Sequence, residues 1–173
     1  MSKTALPNRR PPAKPPHPLV VGARWLAEQT REPEKTWKAW QAGNAVPVPV
    51  GDAFFVVRVA ERLGRTAFHA LSRTPAAPGP VIFNHSQSSV EFFVPATPAV
   101  WQGRGTELLD GRLEFKRMIK CPPPRVRAAG RDWLHPPLAM LGALPPLTDP
   151  YRLAAALATA RRLLEHAGHR LVA

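Results

Sequence analysis

The sequence predicts an α+β (mixed α/β) protein in which one mainly antiparallel sheet is flanked by helices. Residues 53–59 (AFFVVRV) form a continuous β-rich apolar run, which is typical of a central strand buried on both faces. Residues 60–71 place apolar side chains at helical spacing, so a helix should follow this strand. Two more β-rich segments, residues 81–83 and 90–94, are joined by a polar loop. This order of strand, helix and further strands indicates the α+β class.

The first part of the chain predicts a tail and two helices. Residues 1–18 contain six prolines, which fix φ and remove backbone donors, so we expect a disordered Pro-rich tail. A helical pattern covers residues 19–29, and a second helix starts at Pro33. Trp37 and Trp40 then lie on one helix face, which favours core packing over base stacking. Residues 19–173 should form a single α/β domain.

The last third of the chain predicts two short strands and a final helix. Residues 115–121 form a strand candidate that ends at three prolines, and residues 133–134 form another. Asp149 followed by Pro150 marks the start of the last helix. The cations at the end of that helix suit its dipole and need no functional explanation.

The charge balance points to polyanions. The chain carries 24 Lys and Arg against 12 Asp and Glu, a net charge of +12. Such a field attracts DNA or RNA first and anionic membrane surfaces or acidic proteins second. The same surplus also arises in proteins whose charge serves only solubility, so this alternative stays open.

The sequence lacks several features that would change this interpretation. Cys121 is the single cysteine, which excludes an internal disulfide. The start of the chain has no apolar stretch of signal-peptide length. No apolar run in the sequence is long enough to span a bilayer. We therefore expect a cytoplasmic protein without membrane insertion. We expect no metal and no other cofactor. The potential metal ligands His85, Cys121 and His135 are isolated in the sequence, and the sequence contains no phosphate-binding glycine loop.

An ordered series of segments resembles a known family. The strongest pieces are MIKCPPP followed by GRDWLHPP, within a series that runs from Trp37/Trp40 through AFFVVRV, GPVIF and SVEFFVP to LTDP. The series is similar to small actinobacterial proteins related to the N-terminal domain of bifunctional DNA primase/polymerases, in the archaeo-eukaryotic primase superfamily. The resemblance covers residues 37–155. It implies a primase/polymerase-like fold and a setting in plasmid or mobile-element maintenance or transfer, including conjugation.

The catalytic parts of that family do not carry over. Active members end the central strand with two aspartates that hold divalent metal, whereas this strand has Arg58 between apolar residues. The resemblance also implies a phosphate-holding histidine in the next strand, where this chain has Glu91. One surviving acid, Glu107 or Asp110, is not a metal site, because Mg²⁺ needs several oxygen ligands. We therefore expect a non-enzymatic member.

Basic residues concentrate in two places, which are the predicted nucleic-acid-binding residues. In a strand over residues 115–121, Lys116, Met118 and Lys120 should share one face, opposite Arg117 and Ile119. Phosphate contacts from such a face would position a nucleic acid without reading its sequence, although lysines also guard edge strands against aggregation. The predicted binding residues are Arg112, Lys116, Arg117, Lys120, Arg125, Arg127 and Arg131, with Arg9, Arg10 and Lys14 in the tail.

Three functional hypotheses follow. The first is a nucleic-acid-binding accessory protein, whose partners are DNA or RNA and a plasmid or replication protein. The second is a protein-interaction or regulatory module without nucleic-acid binding, in which the FFVP and Pro-rich surfaces would dock a partner. The tail either contributes phosphate contacts or is a solvated extension. An active nucleotidyl transferase with a rearranged metal site is a third, less favoured hypothesis.

Overall fold

The computed structural model describes residues 16–76, 78–96, 101, 103–111 and 117–170. Its helices are α1 (Pro18–Glu28), α2 (Pro33–Gln41), α3 (Glu61–Ser72) and α4 (Pro150–Arg170). Its strands are β1 (Val46–Pro49), β2 (Phe54–Ala60), β3 (Val81–Asn84), β4 (Ser89–Pro95), β5 (Thr106–Leu109), β6 (Met118–Cys121) and β7 (Arg131–His135). The predicted α+β class is confirmed. Most of the predicted tail lies outside the described residues, but α1 begins inside it, because proline suits the first position of a helix.

The main sheet has five antiparallel strands in the order β5-β2-β4-β3-β7. The apolar run that predicted a central strand forms β2, which pairs with β5 on one side and β4 on the other. This register places Arg58 of β2 opposite Glu91 of β4 and also opposite Glu107 of β5. A row of charged side chains therefore crosses the middle of the sheet.

A second, two-stranded sheet accompanies the main one. β1 pairs with β6 in antiparallel register, with Pro47 opposite Lys120 and Val48 opposite Ile119. The sequence predicted β6 but not β1, because a strand with Pro47 and Pro49 lacks two ladder donors and is confined to an edge. We call this pair of strands the ribbon.

The two faces of the main sheet are covered by different elements. Phe55, Val57 and Val59 of β2 face α3 and α4. Phe54 and Val56 face the other way, towards α1, α2 and the ribbon. This alternation buries both sides of β2, as predicted for a central strand.

The contacts of three helices agree with the sequence patterns. The Arg152 backbone amide donates to Asp149 Oδ1 at 2.8 Å, which is the predicted cap of α4. Trp40 is 4% exposed and belongs to the core, as expected. In α3, a Cβ at Gly64 would stand 2.6 Å from Val90 Cβ, so glycine permits close packing of this helix on the sheet.

Candidate nucleic-acid interface

Three of the predicted binding residues are exposed in one short segment that we call the basic turn (residues 120–127). Lys120 is the last exposed residue of β6, and Arg125 and Arg127 follow after two buried prolines. The Val126 amide donates to the Pro123 carbonyl oxygen at 3.3 Å, which closes the turn. Within the described part of the chain, no ion pair engages these three cations.

The strand before this turn alternates as predicted. Met118 is 50% exposed and Lys120 is also exposed, whereas Ile119 and Cys121 are buried. Ile119 and Cys121 contact the core beneath the ribbon, and this contact fixes the orientation of the strand. The ribbon therefore presents Lys120 outwards because the alternate side chains are anchored in the core.

Two other predicted residues instead meet carboxylates. Arg131 Nη1 donates to Glu91 Oε2, and the Arg131 side chain is only 11% exposed. Arg117 Nη1 donates to Glu107 Oε1 at 3.1 Å and is 30% exposed. Because these charges are balanced within the protein, they contribute less than Lys120, Arg125 and Arg127 to attraction of a polyanion.

The remaining predicted residues fall outside the described part of the chain. They are Arg112 and Lys116, which precede β6 in the sequence, and Arg9, Arg10 and Lys14 in the predicted tail. Their contribution to binding stays a prediction.

A buried ionic network crosses the main sheet. Glu91 is fully buried, and its Oε1 accepts from Arg58 Nε at 3.0 Å. Arg58 Nη1 also donates to Glu107 Oε2 at 2.9 Å. Arg131 completes the pairing of Glu91 from the sheet edge. Both arginines satisfy the buried carboxylate, and burial without such partners would be strongly unfavourable.

The histidines and the thiol form no metal cluster in the described residues, where no group of three His, Cys, Asp or Glu side chains converges. His85 Nε2 lies 3.1 Å from Asp132 Oδ1, a pairing across 47 positions that local sequence patterns do not reveal. Cys121 is fully buried. Burial, with a further contribution from the Glu91 charge, raises the pKa of its thiol well above the usual range, and Arg131 opposes this only in part.

An apolar cavity beside the basic turn was not foreseen from the sequence. It has a volume of about 210 Å³ and lies between α1, α2 and the turn. Trp37, Trp40, Pro123 and Val126 contribute to its walls. The signal in the sequence was the Trp37/Trp40 pair, but its proximity to the Pro-Pro turn depends on tertiary packing.

The FFVP segment does not form a docking surface. Phe92 and Phe93 are fully buried in β4, on opposite faces of the main sheet. These side chains are part of the core and are inaccessible to a partner.

No protein-family model, curated protein or solved structure matches the chain. In the part of the chain that the structure describes, no helix has the length and apolar character needed to cross a bilayer. A function is therefore inferred from the charges, burial and contacts of the chain itself.

Proposed function

We propose that this chain is a non-catalytic accessory protein that binds DNA or RNA through phosphate contacts of the basic turn. The single observation that carries the proposal is the exposure of Lys120, Arg125 and Arg127 in eight consecutive residues without carboxylate partners in the described chain. Arginine and lysine are the side chains that contact phosphate most often.

The overall charge supports the same partner. A net charge of +12 on 173 residues favours association with polyanions at long range. Contacts of this kind position a nucleic acid without selecting its sequence. The resemblance to primase/polymerase-related proteins is compatible with this role, and the plasmid or mobile-element setting comes from the resemblance alone.

The absence of catalysis is part of the proposal. Arg58 and Glu91 stand at the positions where the resemblance would require a metal-binding aspartate and a phosphate-holding histidine. Their side chains bind each other. An arginine at this position would repel Mg²⁺ or Mn²⁺ rather than ligate it. A Mn²⁺-dependent primer-extension assay should give no product, and any templated product would contradict this part.

The binding test is a salt titration. Affinity for a labelled DNA is measured by fluorescence anisotropy between about 50 and 200 mM salt, where log K should fall linearly with log salt by about 0.9 per phosphate contacted. A response that is flat with salt, or no binding at the lowest salt, would contradict the proposal.

A second candidate function, a protein-interaction module, is favoured by one surface. Met140, Leu141 and Leu144 are 70%, 71% and 76% exposed in the segment between β7 and α4. Neighbouring exposed apolar side chains of this kind are typical of protein contact sites. This function predicts an association that survives nuclease treatment, is lost in Leu141→Ser/Leu144→Ser, and is unchanged when the basic turn is neutralised.

A further inference from the structure

The cavity beside the basic turn has rigid aromatic walls. Trp40 Nε1 donates to the Cys121 carbonyl oxygen at 3.1 Å, which fixes the indole ring of α2 against the end of β6. Trp37 lies one helical turn earlier, with the Arg24 guanidinium 5.6 Å from the centre of its ring. Both indoles contribute to the wall of the cavity. A flat ring that enters the cavity would therefore meet side chains already held in position.

The mouth of the cavity combines an exposed apolar residue with a cation. Val126 lines the cavity and is 55% exposed to solvent. Arg125 lines the same cavity and belongs to the basic turn. Among the described residues that line the cavity, none is acidic. The charge at this mouth suits a ligand that joins a flat apolar ring to an anion.

We infer that this cavity accepts an unpaired base of a single-stranded nucleic acid, while the basic turn contacts the neighbouring phosphates. The inference rests on the proposed function and adds a strand preference to it. Proteins that bind single strands without sequence preference combine cationic grooves with aromatic stacking platforms. The partly exposed indole of Trp37 supplies the platform, and the buried indole of Trp40 forms the wall behind it. Arg125 connects this platform to the other cations of the basic turn.

The size of the cavity is compatible with a base. A cavity of about 150 Å³ accommodates benzene, and this one has about 210 Å³. The bases of a duplex are stacked and paired, so they are not available for insertion, whereas those of a single strand are. Among the described lining residues, Gln41 and Arg125 carry polar side chains in addition to the two indole N–H groups. With so few polar groups, we expect little discrimination between bases.

The test varies the ligand first, so that the protein remains unchanged. Three probes of equal length carry the same fluorophore: an oligothymidylate, a duplex, and a single strand whose central nucleotides are abasic. The abasic strand keeps the phosphates and removes the rings. We expect the oligothymidylate to bind about 10-fold more tightly than the abasic strand. Equal affinities for these two probes would overturn the inference and leave the proposed function standing. Failure of all three to bind would overturn both.

Variants then assign the preference to the cavity. Trp37→Ala should abolish the difference between the oligothymidylate and the abasic strand, and leave the affinity for the abasic strand unchanged. Tyr151→Ala is the control, because Tyr151 is an aromatic residue that is 80% exposed on α4 and does not line this cavity. A preference that persists in Trp37→Ala would overturn the assignment, and unchanged binding of the abasic strand shows that this variant is folded.

Discussion

Arg58 of β2 and Glu91 of β4 face each other across two central strands and are joined by a hydrogen bond of 3.0 Å. Glu91 has no exposed side-chain surface, and Arg131 binds its second oxygen from β7. Four strands of the main sheet are therefore tied by one network that extends through Arg58 to Glu107 of β5. A buried carboxylate between two guanidinium groups is tolerated only when each charge keeps its partner.

The first prediction concerns this network. Glu91→Gln preserves the shape of the side chain but leaves Arg58 and Arg131 without their buried counter-charge. We expect the free energy of unfolding in urea to fall by about 3 kcal/mol. Glu107→Gln is the matched control, because Glu107 is 46% exposed and its loss should cost less than about 1 kcal/mol. A loss of less than about 1 kcal/mol in Glu91→Gln would contradict a stabilising role for the buried pairing of Glu91.

The second prediction concerns Cys121. Because burial raises its pKa well above the usual range, the native protein contains little thiolate, which is the reactive form. A thiol reagent at neutral pH should leave native protein unlabelled within the time that labels urea-unfolded protein completely. Rapid labelling of the native state, at a rate independent of urea, would show that the thiol is accessible.

The raised pKa of the Cys121 thiol also predicts a pH dependence of stability. The folded state disfavours the thiolate, so the contribution of Cys121 is fully present below its unfolded pKa of about 8.5 and is lost as pH rises above it. The free energy of unfolding should therefore decrease between about pH 8.5 and 10. Cys121→Ala should reduce this slope, and an identical slope in the two proteins would assign it to other groups.

The fourth prediction concerns the packing of α3 on the sheet. An added Cβ at Gly64 would lie 2.6 Å from Val90 Cβ and 3.5 Å from Val59 Cβ. Gly64→Ala gains helix propensity of about 1 kcal/mol, but overpacking costs about 1–3 kcal/mol. We expect net destabilisation of about 1 kcal/mol in urea unfolding. His69→Ala, at an exposed position of the same helix, should change stability by less than about 0.5 kcal/mol. Stabilisation by Gly64→Ala would contradict this prediction, because it would mean that α3 and the sheet are farther apart than the 2.6 Å approach at Gly64 implies.

Elements with strong local signals could be predicted from the sequence. The apolar run of β2 and the periodic pattern of α3 identify them within one or two residues, and Asp149-Pro150 marks the start of α4. β5 was missed, because Thr106–Leu109 is short and lies at a sheet edge. β1 was missed because its prolines resemble a loop. β6, the strand that pairs with β1 in the ribbon, follows about 70 residues later.

The exposed cations of the basic turn were predictable as part of a charged region but not individually. The composition could not distinguish Arg131, which pairs with Glu91, from Arg125 and Arg127, which are exposed. The partners that neutralise Arg131 and Arg117 come from other strands, and only the sheet register brings them together. The cavity between Trp37 and the Pro-Pro turn depends in the same way on tertiary packing.

The measurement that most directly tests phosphate binding by the basic turn is a comparison of two triple charge reversals. One variant is Lys120→Glu/Arg125→Glu/Arg127→Glu. Its control, Arg62→Glu/Arg73→Glu/Arg162→Glu, changes the net charge equally on the opposite face of the main sheet. The three positions are exposed and lie in α3, directly after α3 and in α4. Both are titrated against the same DNA over a range of salt. In the basic-turn variant, the negative slope of log K against log salt should become shallower by about 2–3. In the control variant, most of the slope should remain. Equal losses in the two variants would contradict a localised site, and slopes equal to that of the unmodified protein would contradict phosphate binding by this turn.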